Sequence, residues 1–477
     1  MLYLTIILIY LFLLIGVGIY KSKKIKTQAD FAVAGRTLSP WILVGTMLAT
    51  WIGTGSILGN AGKTYETGMA ALILPIGGTL GIILLTRIAG KVRSYEKFTV
   101  PEIIGDCYGP AARLLSVVAL VMAYMVIVSY QYNAGGAVLS TILTDTTGRA
   151  LISSETATII AAVFIIAYTM LAGLVSVAYT DVGNGIIMTI ALLIAFPILW
   201  FKAGGWNGME VAFTGMGKSQ HMQFFGVYSG LDIINFCLPP FLLILGDANM
   251  YQRFFASKDA EGARSATTIL VFAVLIIELL IIASAWVSAS MIPDAEVGKH
   301  VLIYAAHRFL PPILGAIMMT TIVGIIISTA DSYLLVPATT LMRDIYLNYI
   351  NPKASEKKIV LLSRLLVLAL GIVAFIVSKG FAESEGFFER ALYAYTIYGA
   401  AITPALVAAM FWKDATKEGA VASILSGTVV TLLWKEAPNL WTWLPAGIYG
   451  SVDEVLPAIC CSVIALVGVS LITKKKS

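Results

Sequence analysis

An all-α polytopic membrane protein is the fold class that this sequence predicts, on three observations. The 477 residues are 58% hydrophobic and only 12% charged, whereas soluble domains run near about 45–50% apolar and about 25% charged. The apolar excess falls in runs of roughly 20 residues, the length that spans hydrocarbon. Lys and Arg also alternate in density between successive connections, as they do for loops on two sides of a bilayer.

Thirteen apolar segments follow in order: roughly 2–20, 39–60, 68–90, 110–140, 155–176, 184–203, 228–250, 265–291, 307–340, 359–379, 388–412, 419–434 and 455–473. The first, "LYLTIILIYLFLLIGVGIY", lacks a basic start and a small-residue cleavage site, so it reads as a retained helix. Assigning each cation to its nearest connection, the odd loops and the C-terminal tail hold 23 of the 32 Lys and Arg, including "KSKKIK" and the terminal "KKKS". The even loops hold 9. This predicts an N-terminus outside and a C-terminus inside, with Glu383, Glu385, Asp453 and Glu454 on outer loops.

The net charge of +5 fits cytoplasmic loops better than a nucleic-acid surface. The longest outer connections, near "KAGGWNGMEVAFTGMGKSQHMQFF" and "KEAPNLWTWLPAGIYGSVDE", are too short for a soluble domain. There is no GxxxxGK[ST] loop, which argues against ATP coupling within the chain. Cys107, Cys237, Cys460 and Cys461 lie in or beside apolar runs and indicate no disulfide framework. His221, His300 and His307 have no metal-binding spacing.

The second segment carries "ATWIGTGSILGN" at its centre, with Gly53 and Gly55 as helix breakers. Unwound backbone at membrane depth is tolerated only where it lines a cavity or is buried in protein. Transporters use it to offer carbonyls to cations and helix ends to substrate. The seventh segment has matching breakers, Pro239, Pro240 and Gly246, in "LPPFLLILGDANMYQ". An offset of five spans reverses topology, so residues 39–203 and 228–412 read as inverted repeats within a single transmembrane domain of residues 1–477. Residues 413–477 then form two accessory helices.

Acids inside apolar segments are functional hypotheses by default. Asp181 opens the sixth segment and Asp331 lies in "ISTADSYLL" of the ninth. Asp232 and Asp247 also fit interfacial positions near span ends, and Glu278 fits a hydrogen-bonded structural acid. Ser328 and Ser332 share a helix face beside Thr329. Hydroxyls, carbonyls and a carboxylate are the oxygen ligands a hard cation requires.

At these residues the chain resembles the sodium/solute symporter family, which includes sodium/proline, sodium/glucose, sialic acid and choline transporters. The resemblance runs through "FAVAGRTLSPW", "ATWIGTGS", "SVAYTDV", "MYQRFFASKDAEGAR", "STADSYLL", "TTLMRDIY" and "YGAAITPALVAAMFWKDATKEGA". It implies a LeuT-type 5+5 inverted repeat, with one helix before it and two after. It also implies a main sodium site of the Ala49, Ile52 and Ile325 carbonyls with the Ser328 and Thr329 side chains. A second sodium site of some members resembles Asp181, Ser328 and Ser332, joined by Asp331. Sodium is thus the implied coupling ion, one or two per cycle.

The implied solute pocket takes Trp51, Thr54 and Ser56, then Gln131 and Asn133 from "SYQYNAGG". Asp247, Asn249, Tyr395 and Tyr398 complete it. Trp51 resembles an aromatic-cage residue of the choline branch, although its companion tryptophans are missing. Asp247 fits either an ammonium partner or a structural acid at the helix break. An amino acid or amine is the first expectation; a sugar, polyol or monocarboxylate is the alternative. A transport-like sensor is a third reading, and the chain's end at "KKKS" carries no signalling module to favour it. An intramembrane enzyme lacks a metal cluster or nucleophile–base pair. The expected partners are the lipid bilayer of the cell membrane, sodium and a small organic solute, with no nucleic acid and no obligatory protein partner.

Overall fold

The computed structural model describes residues 2–23, 25–143, 151–294, 298, 300–380, 386–436 and 451–474. Glu383 and Glu385, much of the last outer connection and the end of "KKKS" lie outside them. Among the described residues the chain is helical, with one isolated bridge between Leu38 and Ser257. Among the described residues, ten helices are long and apolar enough to cross a membrane. An eleventh span arises if Pro40–Trp51 and Gly55–Ile73, bent by 50°, count as one.

Burial separates perimeter from centre. In its most apolar stretch the first helix, Leu2–Ser22, is 17% buried, so it faces lipid; Pro312–Ile350 is 78% buried, so it is the central pillar. The fifth and sixth segments form one helical run, Ser154–Lys202, of 49 residues. A straight helix of that length would reach about 70 Å, far beyond the roughly 30 Å of hydrocarbon. Gly173, at φ 58°, divides it. The sequence places the division at residues 177–183. The earlier break puts Asp181 about two turns inside the second helix rather than at its start. The Lys417–Lys435 helix stands outside the set of ten; it packs on Val455–Thr473, with Ser423 and Ser462 hydroxyls 2.8 Å apart.

Both predicted breaks are present, but of the seventh segment's expected breakers only Gly246 sits at the break; Pro239 and Pro240 lie inside the helix that precedes it. Helix Pro40–Trp51 begins with Pro at its first turn, where a missing N–H costs nothing. It stops at Ile52 (φ −75°, ψ 89°), and Gly55–Asn60 resumes with π-helical geometry, a form frequent at functional sites. Helix Gly230–Gly246 starts with a capping box in which Ser229 Oγ accepts from Asp232 N–H and Asp232 accepts from Ser229 N–H. Capping therefore accounts for Asp232. This helix ends at Asp247 (φ −59°, ψ 112°), which also caps the next helix, Ala248–Ala256.

Candidate ion and solute site

The first break leaves carbonyls beyond a finished helix. Ile52 N–H closes the last turn on Leu48 O at 2.9 Å, so the carbonyls of the last turn, from Ala49 to Ile52, have no following turn to accept from. Two hydroxyls of the central pillar converge on one of them: Ser328 Oγ lies 3.4 Å and Thr329 Oγ1 3.5 Å from Ala49 O. The approach is close because position 53 has no side chain: a Cβ there would stand 3.0 Å from both Oγ1 and Cγ2 of Thr329. Ala49, Ile52, Ile325, Ser328 and Thr329 are all buried.

A carboxylate adjoins this cluster. Asp181, fully buried, accepts from Ser328 Oγ at 2.5 Å and from Thr46 Oγ1 at 2.5 Å. Ser332 Oγ lies 3.2 Å from Thr50 Oγ1 and accepts from Arg253 Nη2 at 2.5 Å. Arg253 Nη2 is also 3.9 Å from Asp181 Oδ2. Asp331 turns elsewhere and accepts from Thr169 Oγ1. The residues assigned by resemblance to a second sodium thus divide: Asp181 and Ser332 meet Arg253, Ser328 joins them through Asp181, and Asp331 faces Thr169.

The predicted solute residues divide as well. Trp51, Ser56 and Tyr395 line a cavity of about 40 Å³ with Glu278, Asn60, Phe236 and Phe388. Thr54 Oγ1 donates to Gln131 Oε1, and Gln131 Nε2 has no protein partner. Asp247 accepts from Tyr124 OH at 2.5 Å and from Asn249 N–H at 3.2 Å. Tyr398 OH donates to Gly246 O at 2.7 Å and accepts from Ala248 N–H at 3.1 Å. Asn249 Oδ1 accepts from Arg253 Nη1 at 3.2 Å. Asp247, Asn249 and Tyr398 therefore hold the second break together, away from the cavity. Asn133 donates to Ser378 O at 3.4 Å and does not line the cavity.

Four participants go beyond the sequence reading. Arg253 counts there as an inner-loop charge but is fully buried; its signal was a cation enclosed by apolar residues in "MYQRFF". Thr46 and Thr50 stand at i and i+4, one face of the broken helix, a repeat that could have been read. Tyr124 gave no signal within its apolar run.

Two broken helices, buried oxygens gathered at one break and a cavity beside it that holds one carboxylate define a secondary transporter of the broken-helix class. The chain belongs to the sodium:solute symporter family, which matches residues 31–427. It is thus a multi-pass cell-membrane carrier with sodium as coupling ion, and not an enzyme. Among curated relatives, the high-affinity proline transporter PutP of Bacillus subtilis (strain 168) is 25% identical, covering 97% of this chain and 96% of the relative. A sodium/proline symporter of Haemophilus influenzae is 24% identical, covering 98% and 94%. Among solved structures, a Na+-coupled sialic acid symporter in a substrate-bound outward-open state superposes with a TM-score of 0.81 at 16% identity, covering 99% and 98%. MhsT in complex with L-phenylalanine does so at 0.52 and 15%, covering 91% and 97%.

Proposed function

We propose that this carrier imports a small amino acid or amine, proline-like in size, by sodium-coupled alternating access. The observation that supports it most is the convergence of Ser328 and Thr329 on Ala49 O. Proline transport by relatives that span nearly the whole chain supports the solute class. Sodium held by Ala49, Ile52, Ile325, Ser328 and Thr329 would join the first break to the pillar and favour the outward state. Solute would then dock beside Trp51 and Ser56. Rocking of one bundle against the other would expose both inside. The membrane potential contributes about 2.3 kcal/mol per charge per 100 mV.

The same reading takes thirteen spans, an outer N-terminus and an inner C-terminus. Its repeats are residues 39–203 and 228–412. One sodium occupies the main site; a second requires Arg253 to share Asp181 and Ser332. The test is uptake of L-proline and a panel of amines, sugars and carboxylates into proteoliposomes with an inward sodium gradient. Accumulation that ignores sodium, or that survives Ser328→Ala together with Thr329→Ala, overturns it.

A further inference from the structure

The one acid that lines the cavity is Glu278, on helix Ala260–Ala289. It is 3% exposed. Ser56 Oγ donates to its Oε1 at 2.5 Å and Asn60 Nδ2 to its Oε2 at 3.1 Å. Both donors are neutral, and among the described residues no Lys, Arg or His forms an ion pair with it. Asp181, by contrast, has Arg253. A buried carboxylate without a counter-charge is costly, and one at membrane depth marks a pathway or a ligand. The other walls include the rings of Trp51, Phe236, Phe388 and Tyr395; Lys63 Nζ already stands 5.5 Å from the Phe236 ring centre and 5.8 Å from that of Phe388, which leaves Trp51 and Tyr395 to face a solute. The Tyr395 hydroxyl stands over Gly55, where an added Cβ would meet it at 2.8 Å.

A carboxylate and aromatic rings on one cavity favour a cation with apolar substituents, because rings attract cations over their faces. A hydroxyl-rich solute gains little from these walls, and an anion is repelled. Asp247, the sequence-based candidate for this role, caps its helix and accepts from Tyr124 through Oδ1; its Oδ2 has no protein partner, but the residue does not line this cavity.

We propose that Glu278 is the specificity-determining residue for the solute and meets its positively charged nitrogen, which restricts the carrier to amino acids, imino acids and amines. The inference rests on the sodium-coupled reading above and deepens it. Sodium itself would also suit an unpaired carboxylate, so the experiment separates the two cations.

The test uses the full chain in proteoliposomes and in detergent. The probes are L-proline, pyrrolidine, choline, glucose and cyclopentanecarboxylate, the last keeping proline's ring and carboxylate without its nitrogen. The expected result is sodium-driven uptake of a nitrogen-bearing probe and rejection of cyclopentanecarboxylate. In Glu278→Gln the half-saturating concentration of that probe rises about tenfold or more, the sodium-induced thermal shift without solute is unchanged, and Glu278→Asp recovers part of the loss. Sodium-driven uptake of glucose or cyclopentanecarboxylate in preference to the nitrogen probes overturns the proposal. So does unchanged solute affinity in Glu278→Gln, or a displaced sodium titration without solute, which would make the carboxylate an ion ligand. If Glu278→Gln does not fold, the wild-type contrast between L-proline and cyclopentanecarboxylate decides. Absence of any sodium response, in uptake or thermal shift, sinks the sodium-coupled reading instead.

Discussion

Arg253 Nη2 lies 3.9 Å from Asp181 Oδ2 and donates to Ser332 Oγ at 2.5 Å. Both charged residues are fully buried. The pair joins the helix after the second break to the helix after Gly173 and to the central pillar. Removing one member of a buried pair typically costs about 3–5 kcal/mol, because the other charge stays uncompensated. Asp181→Asn and Arg253→Gln should each lower the melting temperature clearly. The double variant should be less destabilised than the sum, with a coupling above about 1 kcal/mol. Additive losses would show that the two charges are independent.

The same pair bears on stoichiometry. A sodium ion at Asp181 must share the carboxylate with a guanidinium that cannot lose its proton. If a second ion binds, Asp181→Asn lowers the charge-to-solute ratio measured by electrogenic uptake. An unchanged ratio and an unchanged sodium dependence assign Asp181 to Arg253 alone.

At the main ion site, Ser328→Ala and Thr329→Ala each remove one oxygen near Ala49 O. Each should raise the half-saturating sodium concentration about tenfold, the effect of roughly 1.4 kcal/mol. The double variant should lose the sodium-induced rise in melting temperature, since stabilisation by a ligand falls as its affinity falls. A normal sodium shift in the double variant would place the ion elsewhere.

Gly53→Ala tests the geometry rather than the ligands. The new Cβ would press on Thr329 Cγ2 and Oγ1, each 3.0 Å away, and force the broken helix off the pillar. Sodium affinity should fall although no ligand is removed. Thr329→Ser deletes Cγ2 and keeps the hydroxyl, so adding it should restore part of the affinity. No recovery would mean that the loss comes from the backbone at residue 53.

Outside the spans, His221 is 2% exposed; burial first, and Lys218 second, push its imidazole below its ordinary pKa. The folded protein thus prefers the neutral ring, and the unfolded chain takes up the proton first. Stability should fall as pH drops through about 6.5, the ordinary histidine value. His221→Gln should flatten that part of the curve of melting temperature against pH. Trp286 Nε1 donates to the His221 backbone carbonyl at 2.9 Å, a contact the substitution keeps. An unflattened curve assigns the acid sensitivity to another group.

The two breaks were legible in the sequence because glycines at 53, 55 and 246 punctuate apolar runs; Pro239 and Pro240 are carried inside helix Gly230–Gly246 and break nothing. Helical spacing made the shared face of Ser328 and Ser332 legible; the pairing of Ser328 with Thr329 at the first break came from the family resemblance. Glu278 and Asp247 were not legible, since each has two oxygens that neighbours can claim, and only packing says which do. Ser56 and Asn60 reach Glu278 from across a helix break; Tyr124 reaches Asp247 from 123 residues away. Gly173 was missed for a related reason. Its positive φ is paid for by tertiary packing against Ile25 and Phe31, toward which its absent side chain would point.

Gln131 offers the last test. Its Oε1 accepts from Thr54 Oγ1, which fixes the amide and leaves Nε2 buried with no protein partner. A buried donor left unsatisfied costs about 1–3 kcal/mol, a cost that an acceptor on the solute would offset. Gln131→Glu replaces that donor with an acceptor at equal size. If the solute presents a carboxylate there, Gln131→Glu should raise its half-saturating concentration at least tenfold, and Gln131→Ala should raise it less. Sodium-induced stabilisation without solute should persist in both. Thr54→Val frees the amide to rotate and should weaken solute binding severalfold through Gln131 alone, so its effect should vanish in the Gln131→Ala background. Independent effects of the two substitutions would show that Thr54 touches the solute directly.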